Sequence, residues 1–339
     1  MKMYPIILNV IFLLGTLFLL DCNHKEKKPE TIVKKSGNPV NDRIEELSAQ
    51  ILKQPKNADL YFERAKLRQD IEFYEGALND FYMATKMDST KPGYYLAIAD
   101  FFVKTGNVEK SIEASEIGAK LEEKNPKHFI QAAKSALILK EYRRAIEFVN
   151  KALLIDKFNP QAYFFKGYIY NESGMEDKAL SNFITSSEQD PIWDLPYQHI
   201  AMLYVKQKND LAIKYFDNAY QANPKNVEAL YQKALYYKET KRTEEALKTL
   251  KAIIEARPQY GKAIFAVGNI LYDQNKFDEA LKNFMLCTEV EKTYYKAYYM
   301  MGQCYEKKND KLKAKEAYKT CIIFKEDCEE AKVALQKLN

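Results

Sequence analysis

Small residues recur along this sequence at a fixed step. Ala65, Ala99, Ala133, Gly167, Ala201, Ala234, Gly268 and Gly302 lie 34 residues apart six times and 33 once. A second series, Ala77, Ser111, Ala145, Ala179, Ala212, Ala246, Ala280 and Ala314, keeps the same step, again with one interval of 33. Two series in one register constrain the chain to an array of like units, each burying its apolar face against its neighbours. An ordinary helical domain rich in Ala would not hold period over eight copies. The lost residue falls between Ala201 and Ala212, where a turn can absorb it. Small residues at these positions let helices approach closely, because packed interiors leave no room for extra methylenes.

One unit, Pro160 to Pro191, shows what repeats. Tyr163, Gly167 and Tyr170 recur at helical spacing, Asn171 to Gly174 is turn chemistry, and Ala179, Phe183 and Ser186 mark a second helical face before Asp190-Pro191. An aromatic, a small residue, an aromatic, then Ala, Phe and a closing Pro resemble one tetratricopeptide repeat (TPR), with Lys166 standing where Leu is usual. The fold implied is all-α, a helix-turn-helix solenoid of about eight repeats between N- and C-terminal capping helices. The expected layout is a signal peptide over 1–21, a flexible tether over 22–41 and a capping helix over 42–56. Eight repeats then fill 57–325, at about 58–91, 92–125, 126–159, 160–193, 194–226, 227–260, 261–294 and 295–325. A last capping helix covers 326–339. Tyr61, Tyr95, Phe129, Tyr163, Tyr197 and Tyr298 stand four residues before the first small series. Phe81, Phe183, Phe216, Phe284 and Tyr318 are the bulky residues of the second helices. Pro92, Pro126 and Pro160 open first helices, where a missing N–H costs nothing, and Pro191, Pro224 and Pro258 close second helices.

The N-terminus reads as a targeting segment. Lys2 precedes an apolar run from Tyr4 to Leu20, short for a membrane span and suited to a signal peptide. Leu19-Leu20-Asp21-Cys22 is similar to a bacterial lipoprotein signal, which implies lipidation at Cys22 and a place in the cell envelope, periplasmic or on the surface. Lys25, Lys27, Lys28, Lys34 and Lys35 follow the run, which keeps an uncleaved signal anchor open. Residues 23–41 are polar, with Pro29, Gly37 and Pro39, and read as the tether.

Composition narrows the function. The formal charge is +5, and the basic residues are spread without a stripe, which speaks against nucleic acid. The register leaves no segment for a catalytic domain. His24, His128 and His199 have no Cys, Asp or Glu at metal spacing, and no phosphate-cradling loop or nucleophile elbow occurs. We expect no enzyme activity, no cofactor and no metal. Cys287, Cys304, Cys321 and Cys328 cluster near the end; packing is their default role, and a bridge between Cys321 and Cys328 stays open. Trp193 reads as packing in a joint between repeats or as a ligand contact.

What remains is surface. The resemblance implies that first helices line a concave face. Repeat positions 2, 5, 9 and 12 form one stripe there, spaced 3, 4 and 3. Of its apolar members, Phe62, Phe164, Tyr168, Tyr231, Phe265, Tyr272 and Tyr299 are the candidate partner-binding groove. Lys66, Lys134, Asn269 and Gln303 add polar groups that suit a peptide backbone. The reading is a membrane-tethered scaffold for a protein or peptide partner, with no small-molecule substrate and no nucleic acid. It is similar in architecture to TPR lipoproteins of envelope assembly and secretion. A structural spacer, and an enzyme site grafted on a repeat face, are the alternatives.

Overall fold

The computed structural model describes residues 37–338, and these contain eighteen helices and no strand. They divide into two compact units, one ending at Met87 and the other beginning at Asp88.

The first unit holds α1 (Pro39–Lys53), α2 (Ala58–Asp70) and α3 (Tyr74–Met87). The capping helix begins at Pro39, inside the stretch read as tether, because Asn38 accepts a hydrogen bond from the Val40 N–H and Pro39 presets the first helical residue. Leu47 and Ile51 face inward, as does the small pair Ala65 and Ala77. A buried carboxylate ties the helices together. Asp80 takes hydrogen bonds from Arg64 Nη2 at 2.7 Å and Arg68 Nη1 at 2.8 Å, and Arg64 Nη1 also reaches Ser48 Oγ on α1. Removing either partner from such a buried pair leaves an uncompensated charge.

The second unit is built from seven helical hairpins and a last helix. The hairpins are α4 (Pro92–Lys104) with α5 (Val108–Leu121), α6 (Lys127–Ile138) with α7 (Tyr142–Ile155), and α8 (Pro160–Glu172) with α9 (Glu176–Gln189). Next come α10 (Asp194–Lys206) with α11 (Leu211–Ala222) and α12 (Glu228–Glu239) with α13 (Thr243–Ala256). The last two are α14 (Gly261–Asp273) with α15 (Phe277–Val290) and α16 (Tyr295–Lys307) with α17 (Lys311–Phe324), followed by α18 (Glu329–Lys337). Each helix packs on the next in order. The last helix begins three residues after the expected start of the C-terminal cap.

The two small-residue series lie at the closest approaches. Ala133, Ala201 and Ala234 from first helices and Ala145, Ala179, Ala212, Ala246, Ala280 and Ala314 from second helices are buried. Where the first-helix residue is Gly, an aromatic ring of the second helix occupies its missing side chain. A Cβ on Gly167 would stand 2.8 Å from Phe183, one on Gly268 2.5 Å from Phe284, and one on Gly302 2.4 Å from Tyr318. At these three contacts the ring of the second helix takes the space a side chain on the first would need, as close packing requires.

The turns repeat as regularly as the cores. Glu72, Gly106, Lys140, Gly174, Lys208, Lys241, Asn275 and Asn309 all have positive φ, from 53° to 76°, and each ends a first helix. The following N–H then donates back five residues, as Lys276 does to Leu271 and Asp310 to Tyr305, which is the Schellman way of satisfying the last carbonyls. The lost residue of the fifth repeat is absorbed just after this turn. There the Ala212 N–H donates to the Asn209 carbonyl three residues back, whereas Ala145 and Ala280 reach four back, to Glu141 and Lys276. Pro191, Pro224 and Pro258 each follow a second helix by two residues.

Candidate partner-binding face

The candidate groove residues occupy one side of the first helices, where their depth is set by the neighbouring hairpins. Phe164 on α8 is 6% exposed and belongs to the core. Its ring touches Phe165, Phe183, Trp193 and His199 at centroid distances of 4.8–5.6 Å. This corrects the expectation of an open aromatic contact there. Helical spacing assigned the face correctly, but not how far the rings of α9 and α10 close over it. Trp193 is thereby placed as packing against Phe164, half-buried at the start of α10.

Tyr168, Tyr231, Phe265, Tyr272 and Tyr299 are half-buried. Each rests on a ring of a neighbouring segment: Tyr168 on His199, Tyr231 on Tyr260, Phe265 on Phe284 and Tyr294, Tyr272 on Phe277, and Tyr299 on Tyr318. Burial pushes the Tyr231, Tyr272 and Tyr299 hydroxyls above the usual tyrosine range, so all three stay protonated donors. Phe62 lies in the first unit, half-buried against Phe81 with the Lys66 ammonium 5.0 Å above its ring. Cys22 lies outside the described residues.

Two cavities open on this side of the second unit. The first, of about 340 Å³, is walled by Leu137, Tyr142, Phe164, Phe165 and Tyr168, with Lys134, Lys140 and Glu172 at its polar edge. Lys134 stands over Phe165 at 5.1 Å, a cation on an aromatic face. The second, of about 270 Å³, is walled by Phe265, Tyr295, Tyr299 and Met300, with Asn269, Lys296, Lys325 and Glu330. The structure therefore brings Phe164 together with Tyr168, and Phe265 with Tyr299. Tyr231 and Tyr272 line neither. Sequence reasoning missed Phe165, Tyr295 and Met300, which sit one position to the side of the stripe; an aromatic beside a stripe residue was the available signal. Of the polar candidates, Gln303 donates to the Tyr299 hydroxyl at 2.7 Å.

Between the two, His199 lies in a third cavity of about 300 Å³ with Asn171, Met202 and Lys206, its ring stacked 4.9 Å from Phe183. Burial holds its pKa below the ordinary 6.5. His128 is fully packed, with Nε2 3.5 Å from a Glu122 carboxylate oxygen and Nδ1 without a partner. Among the described residues no group of three His, Cys, Asp or Glu is placed to hold a metal ion. Also among them, no helix is long and apolar enough to cross a membrane.

Eighteen helices stacked in repeating hairpins define a helical repeat solenoid. Part of it matches the tetratricopeptide repeat. Models of that repeat match residues 206–267, 261–294 and 295–328, the last two covering the α14–α15 and α16–α17 hairpins. Among solved structures, the C-terminal part of a TPR repeat-containing protein from Cytophaga hutchinsonii superimposes with a TM-score of 0.56 at 17% identity, covering 71% of this chain and 99% of that one. A tetratricopeptide repeat protein from Parabacteroides merdae is similar with a TM-score of 0.49 at 17% identity, over 73% of this chain and 98% of the other. At 17% identity the likeness to the Cytophaga hutchinsonii protein is one of fold. No curated protein matches the sequence.

Proposed function

We propose that this protein is a non-catalytic scaffold whose first-helix face in the second unit takes an extended segment of a protein partner. One observation carries the reading. Two cavities on that face combine aromatic walls, among them half-buried Phe165, Tyr168, Tyr295 and Tyr299, with lysines and an amide, Asn269. Aromatic walls bury much area at little entropic cost, and binding energy concentrates in such residues. An open face crossing several repeats suits a chain better than a compact small molecule. The lipoprotein-like Leu19-Leu20-Asp21-Cys22 supports attachment to a membrane through a lipid on Cys22, in the cell envelope. A single acyl chain holds a protein only weakly, so a stable anchor needs a second chain or a polybasic patch beside it.

Photo-crosslinking residues placed at Tyr168, at Tyr299 and, as a control, at exposed Lys319 on α17 test the binding face in native membranes. Partner adducts should form at the first two positions; adducts from Lys319 alone would move the interaction to the second helices. The anchor is tested separately with a fatty-acid probe, which should label the wild type and not Cys22→Ser. An unlabelled wild type with its full N-terminus would mean a signal anchor. Rings already held by neighbouring helices favour a second reading, a spacer with no groove partner, and absence of adducts at all three positions would support it.

A further inference from the structure

Cys321 and Cys328 have their sulfurs 3.2 Å apart, both buried, one in the last turn of α17 and the other at the start of α18. Cys287 differs. One repeat before Cys321, it directs its thiol at the Gly261 carbonyl at 3.5 Å. Ser186, at the same repeat position, directs its hydroxyl at the Pro160 carbonyl at 2.8 Å. In these two copies that position ties a second helix to the start of its own hairpin. Only in the Cys321 copy of these three does the group turn away, to meet a second sulfur on the terminal helix.

We propose that Cys321 and Cys328 form a disulfide that staples α18 to the last repeat. The sulfurs need to close by about 1 Å to reach the bonded separation of roughly 2.05 Å, a movement within the reach of side-chain rotation. Both thiols are shielded once α18 has docked, so exchange takes place during folding. A disulfide R–S–S–R, either a small molecule or an oxidising protein, accepts attack by one cysteine thiolate and releases R–SH. The second cysteine thiolate then attacks the mixed disulfide and releases another R–SH. The pair loses two electrons and two protons, and R–S–S–R is reduced to two thiols. After closure the same burial guards the bond against reductants. Cys328 also lines the cavity with Phe265 and Tyr299, so the staple fixes one wall of it.

The test uses the full chain, unfolded, refolded in a glutathione redox buffer, denatured, alkylated and digested with trypsin. Lys319, Lys325 and Lys332 place the two cysteines on separate peptides. The expected product is Thr320–Lys325 joined to Glu326–Lys332, 2 Da lighter than the two free peptides together, with Cys287 and Cys304 alkylated. Chain refolded in dithiothreitol, so that the bond never closes, should melt about 2–8 °C lower, and C321S/C328S should show no such difference. Alkylation of both Cys321 and Cys328 in that buffer, or indiscriminate linkage to Cys287 and Cys304, would overturn the proposal. The peptide readout needs no variant and stands even if the double substitution fails to fold.

Discussion

The joint between α5 and α6 and the joint between α15 and α16 hold the same place in the repeat and distribute their volume in opposite ways. In the early joint Gly118 faces His128, whose ring lies where a Gly118 Cβ would be, at 2.3 Å. Ser111 and Ser135 cross it with a hydroxyl–hydroxyl hydrogen bond of 2.8 Å. The late joint has Cys287 and Ala297 at the Gly118 and His128 positions, all apolar and buried. The hairpins beside them reverse the trend. Ala133 and Val149 fill the early one, whereas in the late one Gly268 accepts the ring of Phe284. One fold tolerates both because either side of a contact can supply the bulk that fills it.

The largest expected effect breaks the late hairpin. Gly268→Leu drives a side chain into Phe284 and should destabilise by about 1–3 kcal/mol, read by thermal or urea denaturation. Gly268→Ala with Phe284→Val recreates the early pairing and should lose less than Gly268→Leu. Equal losses would show that volume is not exchangeable between the helices. Gly167→Leu should behave similarly, since its Cβ would also stand 3.1 Å from the Ala179 carbonyl.

In the early joint, Gly118→Ala should destabilise by about 1–2 kcal/mol, and His128→Ala should suppress that loss when combined with it. Independent, additive losses would mean that the ring does not fill the space the glycine leaves.

Acid and alkali should separate the joints. Burial of His128 is the largest influence and lowers its pKa below the ordinary 6.5, against the opposing pull of Glu122. The unfolded chain then binds protons that the folded one refuses, so stability falls as pH drops below 6.5 towards the depressed folded value. His199, shifted the same way by burial, adds to the slope. Cys287 is pushed up by burial from 9.0 to about 12. Its contribution is whole below 9 and is lost as pH rises towards 12. His128→Gln should flatten the acid limb of a stability–pH profile, and Cys287→Ala the alkaline limb. An acid limb unchanged in His128→Gln would assign it to His199 and to the carboxylates.

The small-residue series were legible because Gly, Ala and Ser at a 34-residue step have one simple physical cause, helix contact. The turn series was not. Only Gly106, Gly174, Asn275 and Asn309 of its eight members are residue types that favour positive φ. Glu72, Lys140, Lys208 and Lys241 take it because the hairpin on either side imposes it. The candidate face was legible as a face, through the spacing of Tyr168, Phe265 and Tyr299. Its depth was not, since Phe164 is closed over by Trp193 and His199 from the next hairpin. Their distance along the chain carries no local pattern. The early start of α1 was present in Asn38-Pro39, but a Pro beside polar residues reads equally as a tether.

The smallest expected effect returns to the two regions through their turns. Lys140 ends α6 at φ 60° and Asn275 ends α14 at φ 61°. A lysine Cβ is crowded in that conformation, whereas asparagine tolerates it through its short polar side chain. Lys140→Gly removes the crowding and should stabilise by about 0.5–1 kcal/mol, less whatever glycine adds to the entropy of the unfolded chain. Asn275→Gly has less strain to relieve and should gain less, or nothing. Chemical denaturation of both variants beside the wild type distinguishes the cases. If Lys140→Gly gains no more than Asn275→Gly, the turn tolerates lysine as well as it does asparagine, and left-handed strain does not separate the two hairpins.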